Sequence, residues 1–287
     1  MEKEKSEKGR KRRKKRVIAV TCAVALFFLC AFGLAGFGVV YAEKSWTNWY
    51  PDYEKTDIAP LLDKAELTDE DYRILYAQTG LTKLGIDDLL FQNKRSLILE
   101  IQNSYFHEYK INPLHFGLFS YMEETDGFAT ITQLQNGDVL LSASTRVSWF
   151  RYGHSAIVVD GAEGLIVECV SLGNKSEISG TDTFSNRANF LVLRPRVEKA
   201  LREEVAAYAK DELVGIPYRL TTGIFSKKNE NVLKGSQCGH LVWYAYKQFG
   251  VDLDATGGGV VTPRDIANSD KVDVVQVFGF DPNVLWR

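Results

Sequence analysis

Three residues have the side-chain types that acyl transfer by a thiol requires: Cys238, His154 and Glu168. Cys238 lies in GSQCGHLVWYAYKQFG, residues 235–250. Gly235, Ser236 and Gln237 give a polar approach, Leu241, Val242, Ala245 and Phe249 recur at helical spacing, and Gly250 is a stop. A thiol in the first turn of this amphipathic helix sits beside unpaired N–H groups and the positive end of the helix dipole, which favour the nucleophilic thiolate. The competing reading is a buried, inert small hydrophobe, the usual state of a free cysteine.

A nucleophilic cysteine needs a base and a third group to orient that base. His154 opens the run GHSAIVVD just after Gly153, where a side chain at a strand end can face a cleft. Glu168 stands in the next apolar run, LIVECV, and a short connection through Gly161 and Gly164 would pair the two runs as a hairpin. That pairing brings His154 and Glu168 within cross-strand reach, and a buried carboxylate needs such a partner. The alternative is a strand-edge glutamate facing water. Alternation turns Cys169 to the opposite face from Glu168, into the core. His240, two residues beyond Cys238 on one helix, points elsewhere. His107 and His115, near Asn112-Pro113 in an expected loop, read as surface or packing residues.

The strands that must carry these groups are short and β-rich: Asp138-Val-Leu-Leu, Ser155 to Val159, Leu165 to Val170, Phe190 to Leu193 and a last one near Val272 to Val277. A helix is expected over Val197 to Leu213, then the Cys238 helix and a Gly257-Gly-Gly259 turn. Upstream, Thr68-Asp69-Glu70-Asp71 starts a helix that Gly80 can end, and Ile86 to Tyr109 reads as a second, longer one. The pattern predicts an α+β domain on an antiparallel sheet with packed helices over residues 131–287, preceded by a helical segment over 61–130.

The 287-residue chain has a formal net charge of −2, which hides an asymmetry. Residues 1–16 hold ten Lys/Arg against three Glu, leaving 25 basic and 34 acidic residues for the rest. Val17 to Tyr41 then runs 25 residues without a charge. As a helix it would span a ~30 Å hydrocarbon core with some tilt, and the cations hold its N-terminal side in the cytoplasm. Val40-Tyr41-Ala42 would suit a signal peptidase, but the apolar stretch exceeds the ~7–15 residues of a signal peptide, which favours an anchor. Residues 42–60 read as a juxtamembrane linker, with Trp46, Trp49 and Tyr50 at the headgroups. Everything beyond would lie outside the cell, and its acidity argues against nucleic acid as a partner. Of four cysteines, Cys22 and Cys30 fall in the apolar span. The remaining pair makes no disulfide framework and no zinc spacing, so no metal or cofactor is expected. A Cys169–Cys238 disulfide stays open, and would contradict the nucleophile.

Gly137-Asp-Val-Leu-Leu, Gly153-His-Ser-Ala-Ile-Val-Val, Ile166-Val-Glu-Cys-Val, Leu191-Val-Leu-Arg-Pro, Gly215-Ile-Pro-Tyr and Gln237-Cys-Gly-His-Leu-Val-Trp together resemble the NlpC/P60 papain-like superfamily. With the histidine strand ahead of the cysteine helix, the order is similar to its circularly permuted, YiiX/YycO-like branch, over roughly residues 131–280. The resemblance implies Cys238 as nucleophile, His154 as base and Glu168 as the group orienting the imidazole, with Tyr218, Gln237 and Gly239 near the oxyanion. Gly239 departs from the serine common after the cysteine, and Glu168 from a frequent histidine; the latter change keeps an acceptor for the imidazole. The expected activity is an extracellular cysteine hydrolase cleaving amide or peptide bonds through a thioester, with cell-wall peptidoglycan as the implied substrate. A lipid-directed acyl hydrolase or acyltransferase, and an inactive wall- or membrane-binding module, are the alternatives.

Overall fold

A computed structural model describes residues 2–43, 49–115, 120–147, 150–283 and 286, and the chain falls into two compact units, Met1–Lys44 and Ser45–Arg287. The first unit is one helix, α1 (Glu2–Glu43), whose stretch Arg13–Gly36 is long and apolar enough to cross a membrane. The helix includes the basic run ahead of Val17, because Lys, Arg and Glu are good helix formers.

The second unit begins with four helices, α2 (Ala59–Leu62), α3 (Asp69–Thr79), α4 (Lys83–Phe91) and α5 (Arg95–Tyr105). Thr68 and Asp71 form a reciprocal capping box that starts α3, and Gly80 at φ 69° ends it. Ile58, Leu75, Leu81, Ile86, Leu89, Ile98 and Ile101 make the core of this helical part. The expected single helix from Ile86 to Tyr109 is corrected to two. The chain breaks at Gln92–Lys94, where Asn93 takes φ 57°, a left-handed conformation that asparagine tolerates.

A strand pair the helical reading of 61–130 did not anticipate follows: β1 (Ile111–His115) and β2 (Ser120–Thr125). Thus His115 belongs to a strand and not to a loop. With β4 (Thr145–Val147) and β5 (Phe150–Arg151) they make a four-stranded sheet in the order β1-β2-β4-β5. The main sheet is antiparallel and six-stranded, in the order β10-β9-β3-β6-β7-β8. Its strands are β3 (Val139–Ser142), β6 (His154–Asp160), β7 (Leu165–Glu168), β8 (Glu177–Gly180), β9 (Phe190–Pro195) and β10 (Val272–Phe278).

Helices α6 (Asp182–Ser185), α7 (Lys199–Glu212), α8 (Cys238–Gln248) and α9 (Pro263–Ala267) complete the unit. Val139, Leu141, Ile157, Val159 and Val167 face α7 and α8, whose Val205, Leu241, Val242 and Ala245 pack on them. Their neighbours Leu140, Ala156, Val158 and Ile166 face Phe184, Phe190, Tyr105 and Phe278 on the other side, as strand alternation requires. Helix α8 is not amphipathic as expected: Cys238 to Tyr246 are all buried. Its polar tips are met by the loops around it, with Trp243 Nε1 donating to Asp252 at 2.7 Å and Tyr246 donating to the Gly137 carbonyl at 2.5 Å.

Two aromatic residues expected at lipid headgroups instead belong to this unit. Trp49 packs 5.9 Å from the Tyr105 ring, and the Tyr50 hydroxyl donates to the Tyr109 carbonyl at 3.2 Å. Burying the rings against the core satisfies them there. Trp46 lies outside the described residues.

Candidate active site

Gly153 sets where β6 begins. It holds φ +80°, and a Cβ there would lie 2.2 Å from the Trp286 ring and 2.8 Å from the Ser142 carbonyl oxygen. His154 is therefore delivered at the strand's first position. Strand β7 pairs with β6 in the register Ala156↔Glu168, which sets Glu168 diagonally across from His154 on one face. The imidazole Nε2 meets Glu168 Oε2 at 2.6 Å, both side chains buried. The water-facing reading of Glu168 is thereby overturned.

Glu168 is anchored from its other oxygen, which accepts from Ser179 and, at 3.4 Å, from Thr183. Phe184 stacks on the imidazole with centroids 5.5 Å apart. Arg187, buried behind, donates to the Thr183 carbonyl at 2.5 Å and to Thr145 Oγ1 at 3.2 Å, and lies over the Phe184 ring.

With Nε2 committed to Glu168, Nδ1 is the nitrogen left for a second partner. Cys238 lies close enough for that imidazole, and for the backbone N–H groups of Ser155 and Gly239, to favour its charged form. Helix α8 begins at Cys238, so its first-turn N–H groups also converge there. Burial pushes the thiol up, but the imidazole's hydrogen bond and charge, with the two N–H groups, outweigh it and hold Cys238 below an ordinary thiol. Burial and the Arg187 charge push His154 down; its bonds to Cys238 and Glu168 outweigh them and hold it above an ordinary histidine. Burial raises Glu168, yet the His154 hydrogen bond and the charges of His154 and Arg187 bring it down to about 2. Each of the three shifts favours the charged form of its group. No family model matches the chain, and neither a curated protein nor a solved structure matches it.

Both Cys169 and Cys238 are free, so the disulfide alternative is excluded. Cys169 is core as expected, and burial pushes it up to about 12. His240 is structural: it pairs with Ser236 Oγ at 2.9 Å and, through Nε2, with the Lys228 carbonyl at 2.7 Å. His107 is exposed against the Tyr109 ring. Among the described residues no three His, Cys, Asp or Glu side chains gather as a metal site would require.

Of the three residues implied near the oxyanion, Gly239 follows the thiol directly, and its N–H is among the groups that hold Cys238 down. Tyr218 is half-buried and adjacent: burial, then the charge of Cys238, push its hydroxyl up. Gln237 requires correction as an oxyanion donor. Both amide hydrogens are spent, on the carbonyls of Leu220 and Thr222 at 3.0 Å each, and its Oε1 accepts from Tyr152 at 2.9 Å. Gln237 therefore fastens segment 217–235 and Tyr152 to the start of α8. Tyr152, whose hydroxyl is pushed up by burial and then by the charge of Cys238, escaped the sequence reading, as did Ser179, Thr183 and Arg187. The Tyr-Gly-His order was the one local sign of Tyr152; the others lie on segments whose pairing only the fold reveals.

Gly239 replaces the expected serine for a packing reason. A Cβ there would lie 2.5 Å from the Val261 carbonyl oxygen and 3.1 Å from Pro263 N, so the glycine lets 261–263 press against the first turn of α8. Cys238 itself is 1% exposed.

Proposed function

We propose that the protein is a membrane-anchored cysteine hydrolase that cleaves amide or ester bonds through a thioester on Cys238. The observation that carries this reading is the placement of one imidazole: His154 bonds Glu168 at 2.6 Å and lies beside the buried Cys238 thiol, whose charged form it favours. The Cys238 thiolate attacks the carbonyl carbon, the C–S bond forms, and the carbonyl electron pair moves to oxygen, where first-turn N–H groups of α8 can receive it. As the oxyanion collapses, His154 gives its proton to the departing amine or alkoxide. The neutral imidazole then takes a proton from water, whose oxygen attacks the thioester, and the acid leaves with the thiolate restored. Glu168 keeps the imidazole oriented and stabilises its charged form.

The cysteine helix packed on the histidine strand of an antiparallel sheet supports a permuted papain-like, NlpC/P60-type fold, and peptidoglycan as the substrate rests on that resemblance and on an outward-facing domain. The apolar span in α1 and the cations ahead of it support the outward topology. The free thiol speaks against an inactive binding module. One observation favours acyl chemistry on lipids as a second reading: exposed apolar side chains on the segment that Gln237 holds beside the thiol.

The test is incubation of the full chain with purified peptidoglycan fragments, read by mass spectrometry against Cys238→Ala. Newly freed amine and carboxyl termini that vanish in the variant are expected. Equal release by both proteins would refute the assignment.

A further inference from the structure

Segment 217–235 stands out in charge and in surface. Residues 17–287 carry 25 Lys/Arg against 34 Asp/Glu, yet this stretch, PYRLTTGIFSKKNENVLKG, holds four cations and one glutamate. Arg219, Lys227 and Lys234 are exposed, whereas Lys228 is engaged with Asp254 at 2.5 Å. Between them Phe225 is 87% exposed, Val232 69% and Ile224 58%, and Leu220 is exposed as well. Exposed large apolar side chains interspersed along one short segment with exposed cations suit the boundary between headgroups and acyl chains of an anionic bilayer.

The segment is also built into the candidate site. Gln237 donates to the carbonyls of Leu220 and Thr222, Arg219 N donates to the Ser236 carbonyl at 2.8 Å, and Tyr244 donates to that of Glu230 at 2.8 Å. Thr222 Oγ1 closes the base of the loop on the Gly235 carbonyl at 3.0 Å. The tip is thus fixed to the Cys238 end of α8. A membrane-crossing α1 on the same chain keeps a bilayer at high effective concentration.

We propose that segment 217–235 is a membrane-docking loop that seats Leu220, Ile224, Phe225 and Val232 among the headgroups of an anionic bilayer, presenting the Cys238 end of α8 to substrates carried at that surface. The presentation of substrate rests on the thiol chemistry proposed above; the docking does not. Each free cation near such a surface strengthens partitioning about fivefold.

The test uses the full chain in lipid nanodiscs, with Phe225→Trp as a reporter and brominated phosphatidylcholine as the quencher, with and without phosphatidylglycerol. The emission added by the new tryptophan, taken as the difference from the unsubstituted chain, loses roughly half its intensity in anionic discs if the tip is buried at the interface. The combined substitution Arg219→Glu, Lys227→Glu and Lys234→Glu should remove that quenching. Unquenched emission in the anionic discs overturns the proposal and leaves the patch to a protein partner. Quenching that survives the triple substitution overturns the electrostatic basis. Cys238→Ala in the same background leaves quenching unchanged whether or not the thiol is catalytic, so failure of docking and failure of the hydrolase reading are told apart.

Discussion

Substituting Gly239 by alanine or serine tests whether the close approach at the start of α8 is a requirement. The added Cβ would sit 2.5 Å from the Val261 carbonyl oxygen, about 0.9 Å short of ordinary contact, and 3.0 Å from the carbonyl carbon of Thr262. These are backbone atoms, held by the capping box of Thr262 and Asp265 that starts α9. They cannot swing away as a side-chain tip would. Overpacking of this kind costs about 1–3 kcal/mol. The gain in helix propensity on replacing glycine returns at most ~1 kcal/mol. Backbone contacts as close as 2.5 Å put the overpacking cost at the upper end of its range, so the net loss is about 2 kcal/mol, or a Tm lower by roughly 4–8 °C in a domain of this size. Thermal unfolding of the 45–287 unit measures it. Gly258→Ala is the control, since the nearest atom to its Cβ lies at 3.5 Å, and that variant should match the parent within ~0.5 kcal/mol. A Gly239→Ala protein as stable as the parent would refute the packing argument.

Two further outcomes follow from the hydrogen bonds around the thiol. Glu168 is held at about 2, below the ordinary 4.5, so its contribution to stability is present above pH 4.5 and is lost as pH falls through about 2. Its side-chain carboxyl carbon resonance should report an ionised group at pH 3.5, and His154→Ala should move the titration upward because burial then acts without its main counterweight; a midpoint unchanged in that variant would contradict the pairing. Gln237→Ala strips the donor from two carbonyls and the acceptor from Tyr152, a loss of about 1–3 kcal/mol. Faster amide exchange across 219–222 and a lower urea midpoint are expected, and parental values for both would count against the fastening role.

The positions of Cys238, His154 and Glu168 are legible in the sequence because each sits where a local pattern changes. Cys238 opens a helical period, His154 follows a glycine at the head of an alternating run, and Glu168 interrupts an apolar strand. Other features leave no such mark. The break at Asn93 falls inside a continuing apolar periodicity with neither Gly nor Pro to announce it. Strand β2, SYMEET, does not alternate, because Glu123 is buried against Arg146 and Arg151 instead of facing water. Helix α8 looks amphipathic because its Tyr, His and Trp read as polar, while the loops just before and after the helix cover their tips. Arg187 and Ser179 approach Glu168 only once β7, β8 and α6 are assembled.

The central claim is that Cys238 is a thiolate paired with His154 at neutral pH, and thiolate ultraviolet absorbance tests it without requiring access to a buried sulfur. The absorbance of the 45–287 unit is titrated against pH beside Cys238→Ala, so that the difference belongs to Cys238, and Cys169 stays silent until about pH 12. The account predicts a difference signal already present at pH 7, with a midpoint below the ~8.5 of a free thiol, which disappears at that pH in His154→Ala. A midpoint at or above that of a free thiol, or one indifferent to His154, would contradict it.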